Sequence, residues 1–157
     1  MSMLKVIKTV FIAAIFLSQV FLFNARASEE QAVKDVLNNY INYVNAGNLE
    51  ELFKLYTDDA VVMPPFDRSR SGREQIEKSV RETHEKITFN LTLQIDEVIV
   101  SGDWAFARAQ SFGAMALKET GDSIIDEGKV LFILHKDPGG WKIARYMLNP
   151  STPLPGA

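Results

Sequence analysis

Three side chains in this sequence could together carry acid–base chemistry on a small molecule: Tyr40, Asp126 and Arg145. A tyrosine hydroxyl can donate a hydrogen bond to a developing oxyanion, and an aspartate can accept a proton. An arginine can hold a carboxylate or another anion through two parallel hydrogen bonds. If the fold brings them into one pocket, these groups would suit isomerisation, cyclisation or hydrolysis.

Arg108 is a second candidate for an anion clamp. Counting outward from the predicted turn at 102–103 places Arg108 across from Glu97, where it would form a cross-strand ion pair instead. The same counting from the next turn places Arg145 away from Asp126, and an edge or dimer salt bridge is its alternative role. The sequence therefore predicts no clean Asp–Arg–Asp relay.

Other site chemistries have little support in the residues. The chain has no cysteine, which excludes disulfides, thiol nucleophiles and thiolate metal sites. Its two histidines, His84 and His135, lie on different predicted elements without paired ligands, so we expect surface residues and no metal. Neither a nucleophile-elbow motif nor a glycine-rich phosphate loop is present, and no cofactor is expected.

Large apolar and aromatic side chains could line a ligand pocket. The candidates are Tyr56, Met63, Phe66 and Trp104, with Tyr56 expected on the apolar face of a short helix. Such side chains usually fill a core, and only a strongly curved sheet would make them pocket walls.

Three helices are predicted in the first half of the chain. Residues 28–31 read Ser-Glu-Glu-Gln, a capping box that would begin the first helix, and Gly47 would end it. Asn48 would begin a short second helix and Gly72 a third, with a strand over 60–63 between them.

The second half predicts long strands. Apolar and polar residues alternate from Phe89, and the phase flips after Asp96-Glu97, which indicates a β-bulge. Further strands are expected from Trp104, over about 124–135, and over 141–148. We predict an α+β fold, in which a cone-shaped curved antiparallel sheet carries three N-terminal helices on its concave side.

Residues 1–27 have the composition of a secretory signal peptide. Lys5 and Lys8 precede an apolar run over 10–23, and Ala25-Arg26-Ala27 supplies small residues before Ser28. The run is shorter than the roughly 20 residues that span a bilayer, which argues against an uncleaved membrane anchor. We expect an exported protein, periplasmic or extracellular, with no membrane attachment after cleavage.

Cleavage would leave one acidic domain over 28–149 and a flexible, proline-rich tail over 150–157. Removing residues 1–27 takes away three basic residues and no acid, so the net charge moves from −3 to −6. An acidic surface repels phosphate backbones, and nucleic acid is therefore not an expected partner.

Several segments resemble the nuclear transport factor 2-like superfamily, in its SnoaL-like and ketosteroid isomerase-like branch. The likeness lies in Tyr-Ile-Asn-Tyr-Val-Asn-Ala-Gly-Asn from Tyr40, Leu-Tyr-Thr-Asp-Asp-Ala-Val-Val from Leu55, and Ser-Gly-Arg-Glu-Gln-Ile from Ser71. Gly-Asp-Trp-Ala at 102–105 and Gly-Gly-Trp-Lys-Ile-Ala-Arg at 139–145 extend it. The resemblance covers residues 29–149 and implies the cone fold and a homodimer.

The resemblance also implies where an isomerase site would lie. Tyr40 matches the tyrosine donor of the isomerases, whereas Pro64 stands in place of their carboxylate base. Their second carboxylic donor aligns near Leu131 or Phe132, both apolar. Two of the three catalytic groups are thus missing, and steroid-type isomerisation is not expected.

We therefore expect a secreted or periplasmic binding protein that holds a small, mostly apolar or amphipathic ligand, with one anionic group as an option. The catalytic residues remain unknown. One alternative is an enzyme with a non-standard Tyr40, Asp126 and Arg145 site. Another is a non-catalytic homodimer whose cone is filled by side chains.

Overall fold

The computed structural model describes residues 26–151. The predicted signal peptide therefore lies almost wholly outside the described residues, as does the end of the predicted tail. Helix α1 spans residues 26–46, α2 spans Leu49–Lys54 and α3 spans Arg73–Lys86. No helix among the described residues is long and apolar enough to cross a membrane.

Six strands form one sheet: β1 (Tyr56–Met63), β2 (Arg70–Ser71), β3 (Ile87–Ser101), β4 (Trp104–Leu117), β5 (Ser123–Asp137) and β6 (Gly140–Pro150). Their order is β2-β1-β6-β5-β4-β3. Neighbouring strands run antiparallel except β1 and β6, which are parallel. The predicted α+β fold with a curved sheet is confirmed, and the parallel pair is an addition to it.

The start of α1 and the end of α2 differ from the sequence expectation. The chain is already helical at Arg26, so Ser28 lies inside the helix of the uncut chain rather than capping it. Tyr56 opens β1 instead of closing α2, because its strand pairs with Ile143 of β6 and the Ile143 amide donates to the Leu55 carbonyl at 2.7 Å. Strand β6 continues to Pro150, two residues beyond its predicted end.

Small side chains on β4 decide which face of the sheet is covered. Ala105, Ala107 and Ala109 are buried, and they pack in one core cluster with Val33 and Leu37 of α1. Alanine leaves room for the helix to approach the sheet closely, and the alternation of a strand then sends the residues between the alanines to the outer face.

The sheet bends where β3 and β4 cross its open end. The β3–β4 register shifts between Ile95 and Glu97, which confirms the predicted bulge. Further along β4, Gly113 has a φ of 146°, and a Cβ atom there would lie 2.1 Å from the Asn90 carbonyl oxygen. Only glycine permits this approach of two backbones.

Replacing Gly113→Ala should lower the free energy of unfolding by roughly 2–4 kcal/mol, because the new Cβ atom would force β3 and β4 apart. Urea unfolding measures the change. Gly121→Ala is the matched control: φ at Gly121 is also positive (78°), but no atom lies within 4 Å of the added Cβ. Equal losses for the two variants would contradict the close-approach explanation.

Candidate functional site

A cavity of about 190 Å³ lies between the helices and the inner face of the open end of the sheet. All three helices and all six strands contribute to its wall, which is mostly apolar, with Val80, Phe89, Leu91 and Met115 among the lining residues. An apolar cavity of about 150 Å³ can hold benzene, whereas pockets for drug-sized ligands run from about 300 Å³ upward. The cavity therefore suits a ligand of about one ring.

Polar groups enter this cavity from several elements. Tyr40, Tyr56 and Tyr146 contribute phenols, and Asp126 contributes a carboxylate that accepts a 2.6 Å hydrogen bond from the Ser111 hydroxyl. Among the residues that the structure describes, Asp126 is the only acidic side chain lining the cavity. The wall thus offers hydroxyl donors and acceptors and one negative charge.

The tyrosines form an aromatic cluster around Phe132. The centroid of the Tyr40 ring lies 5.3 Å from that of Phe132 and 5.7 Å from that of Tyr146, and Tyr56 lies edge-on to Tyr40 at 6.5 Å. Phe132 itself is fully buried. These edge-on and tilted arrangements fix the orientation of the rings.

Burial keeps the tyrosine hydroxyls protonated. It is the largest cause that raises the pKa of Tyr40 and of Tyr146 well above the usual value, and it also raises the pKa of Tyr56. Tyr56 further raises the pKa of Tyr40, Tyr40 further raises that of Tyr146, and the charge of Asp126 adds to both; the hydrogen bonds from Tyr146 to Tyr40 and from Tyr40 to Tyr56 act in the opposite direction. The accessible part of Tyr40 and Tyr146 faces the cavity, so these hydroxyls can donate hydrogen bonds to a ligand at neutral pH.

Sheet register connects this cluster to a guanidinium on the short strand β2. Phe132 is paired with Tyr146, Tyr146 with Val62, and Val62 with Arg70, so the four residues form one row across the inner face. Arg70 lines the cavity, but its charge is already paired, because Nη2 lies 2.6 Å from Asp67 Oδ2 and Nη1 donates to the Arg68 carbonyl.

His84 of α3 also lines the cavity, so the expectation of a surface histidine is wrong. Its Nδ1 lies 3.0 Å from the Val80 carbonyl oxygen and its Nε2 lies 3.1 Å from that of Val44. His135 is half-buried too, with its ring 4.5 Å from that of Trp104. Within the described residues, no group of three His, Cys, Asp or Glu side chains could hold a metal ion.

Of the eight residues predicted to bind ligand, the structure brings three into the cavity wall: Tyr40, Tyr56 and Asp126. Their role in binding stays a prediction. Sequence reasoning missed Arg70, Ser111, His84 and Tyr146. The signal for Ser111 was available, since it continues the inner face marked by Ala105, Ala107 and Ala109.

The other five predicted residues lie outside the cavity. Trp104 and Arg108 alternate with the buried alanines of β4 and therefore point to the outer face, where Trp104 is 49% exposed. Met63 follows the inward-facing Val62 and is outward for the same reason. Phe66 is 75% exposed in the turn after β1.

Both arginines form ion pairs: Arg108 in its alternative role across β3 and β4, and Arg145 with the neighbouring strand β1 rather than at a sheet edge. Arg108 is the cross-strand partner of Glu97, as predicted, and its Nη1 lies 2.7 Å from Asp96 Oδ2. Arg145 lies 3.7 Å from the Asp59 carboxylate and donates to backbone carbonyls. The expected Tyr40, Asp126 and Arg145 constellation therefore does not assemble.

The structure shows where the two positions lie that the resemblance implies for the missing catalytic groups. Pro64 lines the cavity, and it can neither accept nor donate a proton there. Phe132 fills the region expected for the second donor, buried against Tyr40 and Tyr146. The cavity thus keeps the tyrosine without the two carboxyl groups.

Raising the pH above about 10 should lower the free energy of unfolding. The unfolded chain releases its phenol protons near that pH, while Tyr40, Tyr56 and Tyr146 keep theirs to higher pH in the folded state. Their contribution is therefore complete below pH 10 and is lost as the pH rises. Urea unfolding between about pH 8 and about pH 11, on either side of the ordinary tyrosine pKa, tests this. A stability that does not change over this range would contradict buried, protonated phenols.

Comparisons with known proteins agree with this architecture. A ketosteroid isomerase-like protein from Erwinia carotovora atroseptica SCRI1043 superposes with a TM-score of 0.75 at 28% identity, over 80% of this chain and 98% of that one. A nuclear transport factor 2-like superfamily protein from Salmonella enterica serovar Typhimurium LT2 superposes with a TM-score of 0.72 at 18% identity, over 83% and 96%.

The family model for the SnoaL-like domain matches residues 25–147, while no curated protein matches the chain. A conserved protein from Planctomyces limnophilus DSM 3776 also shares the fold, with a TM-score of 0.72 at 19% identity over 80% of this chain and 99% of that one. The predicted resemblance is confirmed: the chain belongs to the SnoaL-like domain family of the nuclear transport factor 2-like superfamily.

Proposed function

We propose that this protein is an exported binding protein that holds a small, mostly apolar molecule in the cavity between its helices and its sheet. The observation that carries the proposal is an enclosed space of about 190 Å³ with an apolar wall, in a SnoaL-like domain whose base position is a proline. The fold family itself suggests small-molecule binding or isomerase-type chemistry.

The composition of the wall supports a ligand with one polar end. Its apolar side chains would remove a hydrocarbon ring from water, which contributes about 25 cal/mol for each Å² buried. The tyrosine hydroxyls and Asp126 would receive the polar end. A molecule that is apolar throughout would leave these groups without partners, and this reduces affinity.

An acid–base enzyme is the second candidate function, because a carboxylate and protonated phenols face the same cavity. Asp126 would serve as the base and Tyr40 or Tyr146 as the hydrogen-bond donor. Asp126 carries no second carboxylic partner of the kind that the isomerases use, so such a reaction would differ from steroid isomerisation. Binding needs fewer groups than catalysis, and we therefore place it first.

Filling the cavity should abolish binding. Thr83 of α3 lines it, and Thr83→Phe would place a ring in the space. We expect benzyl alcohol to bind the wild-type protein in calorimetric titration and to bind this variant at least about tenfold more weakly. A four-ring steroid should not bind either protein, since the cavity is below the size of drug-sized pockets.

Glu82→Phe is the matched control, because it adds the same ring to an exposed position of the same helix outside the cavity. Thermal unfolding of both variants shows whether they remain folded. Equal binding of benzyl alcohol to Thr83→Phe and to wild type would contradict this cavity as the binding place.

Export and self-association are part of the proposal. The outer face of the sheet carries exposed apolar side chains on β4 and β6, the two strands that flank β5: Phe106 at 42% and Met147 at 40% exposure, which a second copy could cover. Native mass spectrometry of protein recovered from a bacterial periplasm should show residues 28–157 as a dimer. Phe106→Asp should leave a monomer. An uncut chain would contradict export, and a wild-type monomer at micromolar concentration would contradict self-association.

A further inference from the structure

Asp126 is the only charge in the cavity wall that lacks a compensating charge. Its carboxylate has one hydrogen bond, from Ser111, and it forms no ion pair within residues 26–151. The other charged group of the wall, Arg70, is paired with Asp67 at 2.6 Å. The cavity as a whole therefore carries one uncompensated negative charge.

The surrounding groups favour a positive charge at the same place. Tyr40 and Tyr146 line the same cavity as the Asp126 carboxylate. Aromatic faces attract cations, and their attraction increases when water is removed. His84 does not hydrogen-bond to Asp126, because its two ring nitrogens lie against the backbone carbonyl oxygens of Val80 and Val44.

The two arginines that could have attracted an anionic ligand lie outside the cavity. Arg145 lies outside the cavity against Asp59, and Arg108 lies on the outer face against Asp96. An anionic ligand would meet the Asp126 carboxylate with no free cation to offset the repulsion. The expectation of an anionic group on the ligand therefore loses its basis in this structure.

We propose that the ligand is a cationic amine: a single-ring or similarly small apolar body with one protonated amino group, held by Asp126. The ammonium group would donate to the free carboxylate oxygen, and the ring would pack against Leu91 and Met115. This inference rests on the proposed binding function and specifies its ligand class.

Three compounds of equal size separate the inference from the function on which it rests. Benzylamine is protonated at neutral pH, benzyl alcohol is neutral and benzoate is an anion. We expect calorimetric titration of the full chain to give a dissociation constant for benzylamine about tenfold or more below that for benzyl alcohol, since an ammonium–carboxylate ion pair replaces a hydrogen bond from a neutral donor. Benzoate should bind more weakly than either.

Asp126→Asn should remove the preference. It keeps an oxygen for the Ser111 hydroxyl but loses the charge, so benzylamine should bind about tenfold more weakly while benzyl alcohol stays within about twofold. Glu127→Gln is the control variant. It makes the same change of charge at the next residue, which is exposed on the opposite face of β5, and it should leave both affinities unchanged.

The outcomes distinguish a failure of the amine inference from a failure of the proposed binding function. Benzyl alcohol binding as tightly as benzylamine, or benzoate binding more tightly than both, overturns the amine inference and leaves the binding function standing. Retention of the amine preference in Asp126→Asn also overturns it. Absence of binding by all three compounds at millimolar concentration overturns the proposed function, and the inference with it.

Discussion

The close approach of α1 to a row of alanines on β4 is the contact on which the rest of the molecule depends. Ala105, Ala107 and Ala109 let the helix approach the sheet, which fixes the inner face of every paired strand through the ladder. Asn45, near the end of α1, then donates to and accepts from the backbone of Leu91 at 2.7 and 2.9 Å. The helix is thereby held at β3 beside Leu91, which lines the cavity.

Burying the polar groups of the cavity opposes folding, whereas burying its apolar wall favours folding. Burying hydroxyls and a carboxylate without full hydrogen bonding opposes folding, and each incomplete group costs on the order of 1–3 kcal/mol. The phenols reduce this cost because the Tyr40 hydroxyl hydrogen-bonds with those of Tyr56 and Tyr146, and Asp126 reduces it through Ser111. The free oxygen of Asp126 is the part of this arrangement that internal contacts leave incomplete, which is typical of a site that a ligand completes.

The periodicity of the sequence predicted most of the fold but not which face of each strand would be covered. Alternation on β4 separated Trp104 and Arg108 from the alanines correctly, yet large aromatic residues were assigned to the pocket because they bury the most area. The opposite assignment holds, because the alanines of β4 lie in the buried cluster with α1 and strand alternation turns Trp104 and Arg108 to the other face. Tyr56 shows a second limit: its apolar neighbours fit a helix, and the long-range pairing with Ile143 decides for a strand. Arg70 was hidden because a two-residue strand leaves no periodic pattern.

The unfilled cavity favours a binding function over a structural one. A cavity of about 190 Å³ forgoes packing that contributes on the order of a few kcal/mol, and larger side chains at its wall would recover part of this. The chain instead has small or polar residues at Ser79, Thr83 and Ser111, where bulkier apolar ones would fill the space. The family resemblance also implies that Pro64 stands where an isomerase has its carboxylate base. A space of this size is what the proposed binding function needs, whereas a structural role would be served by a filled cone.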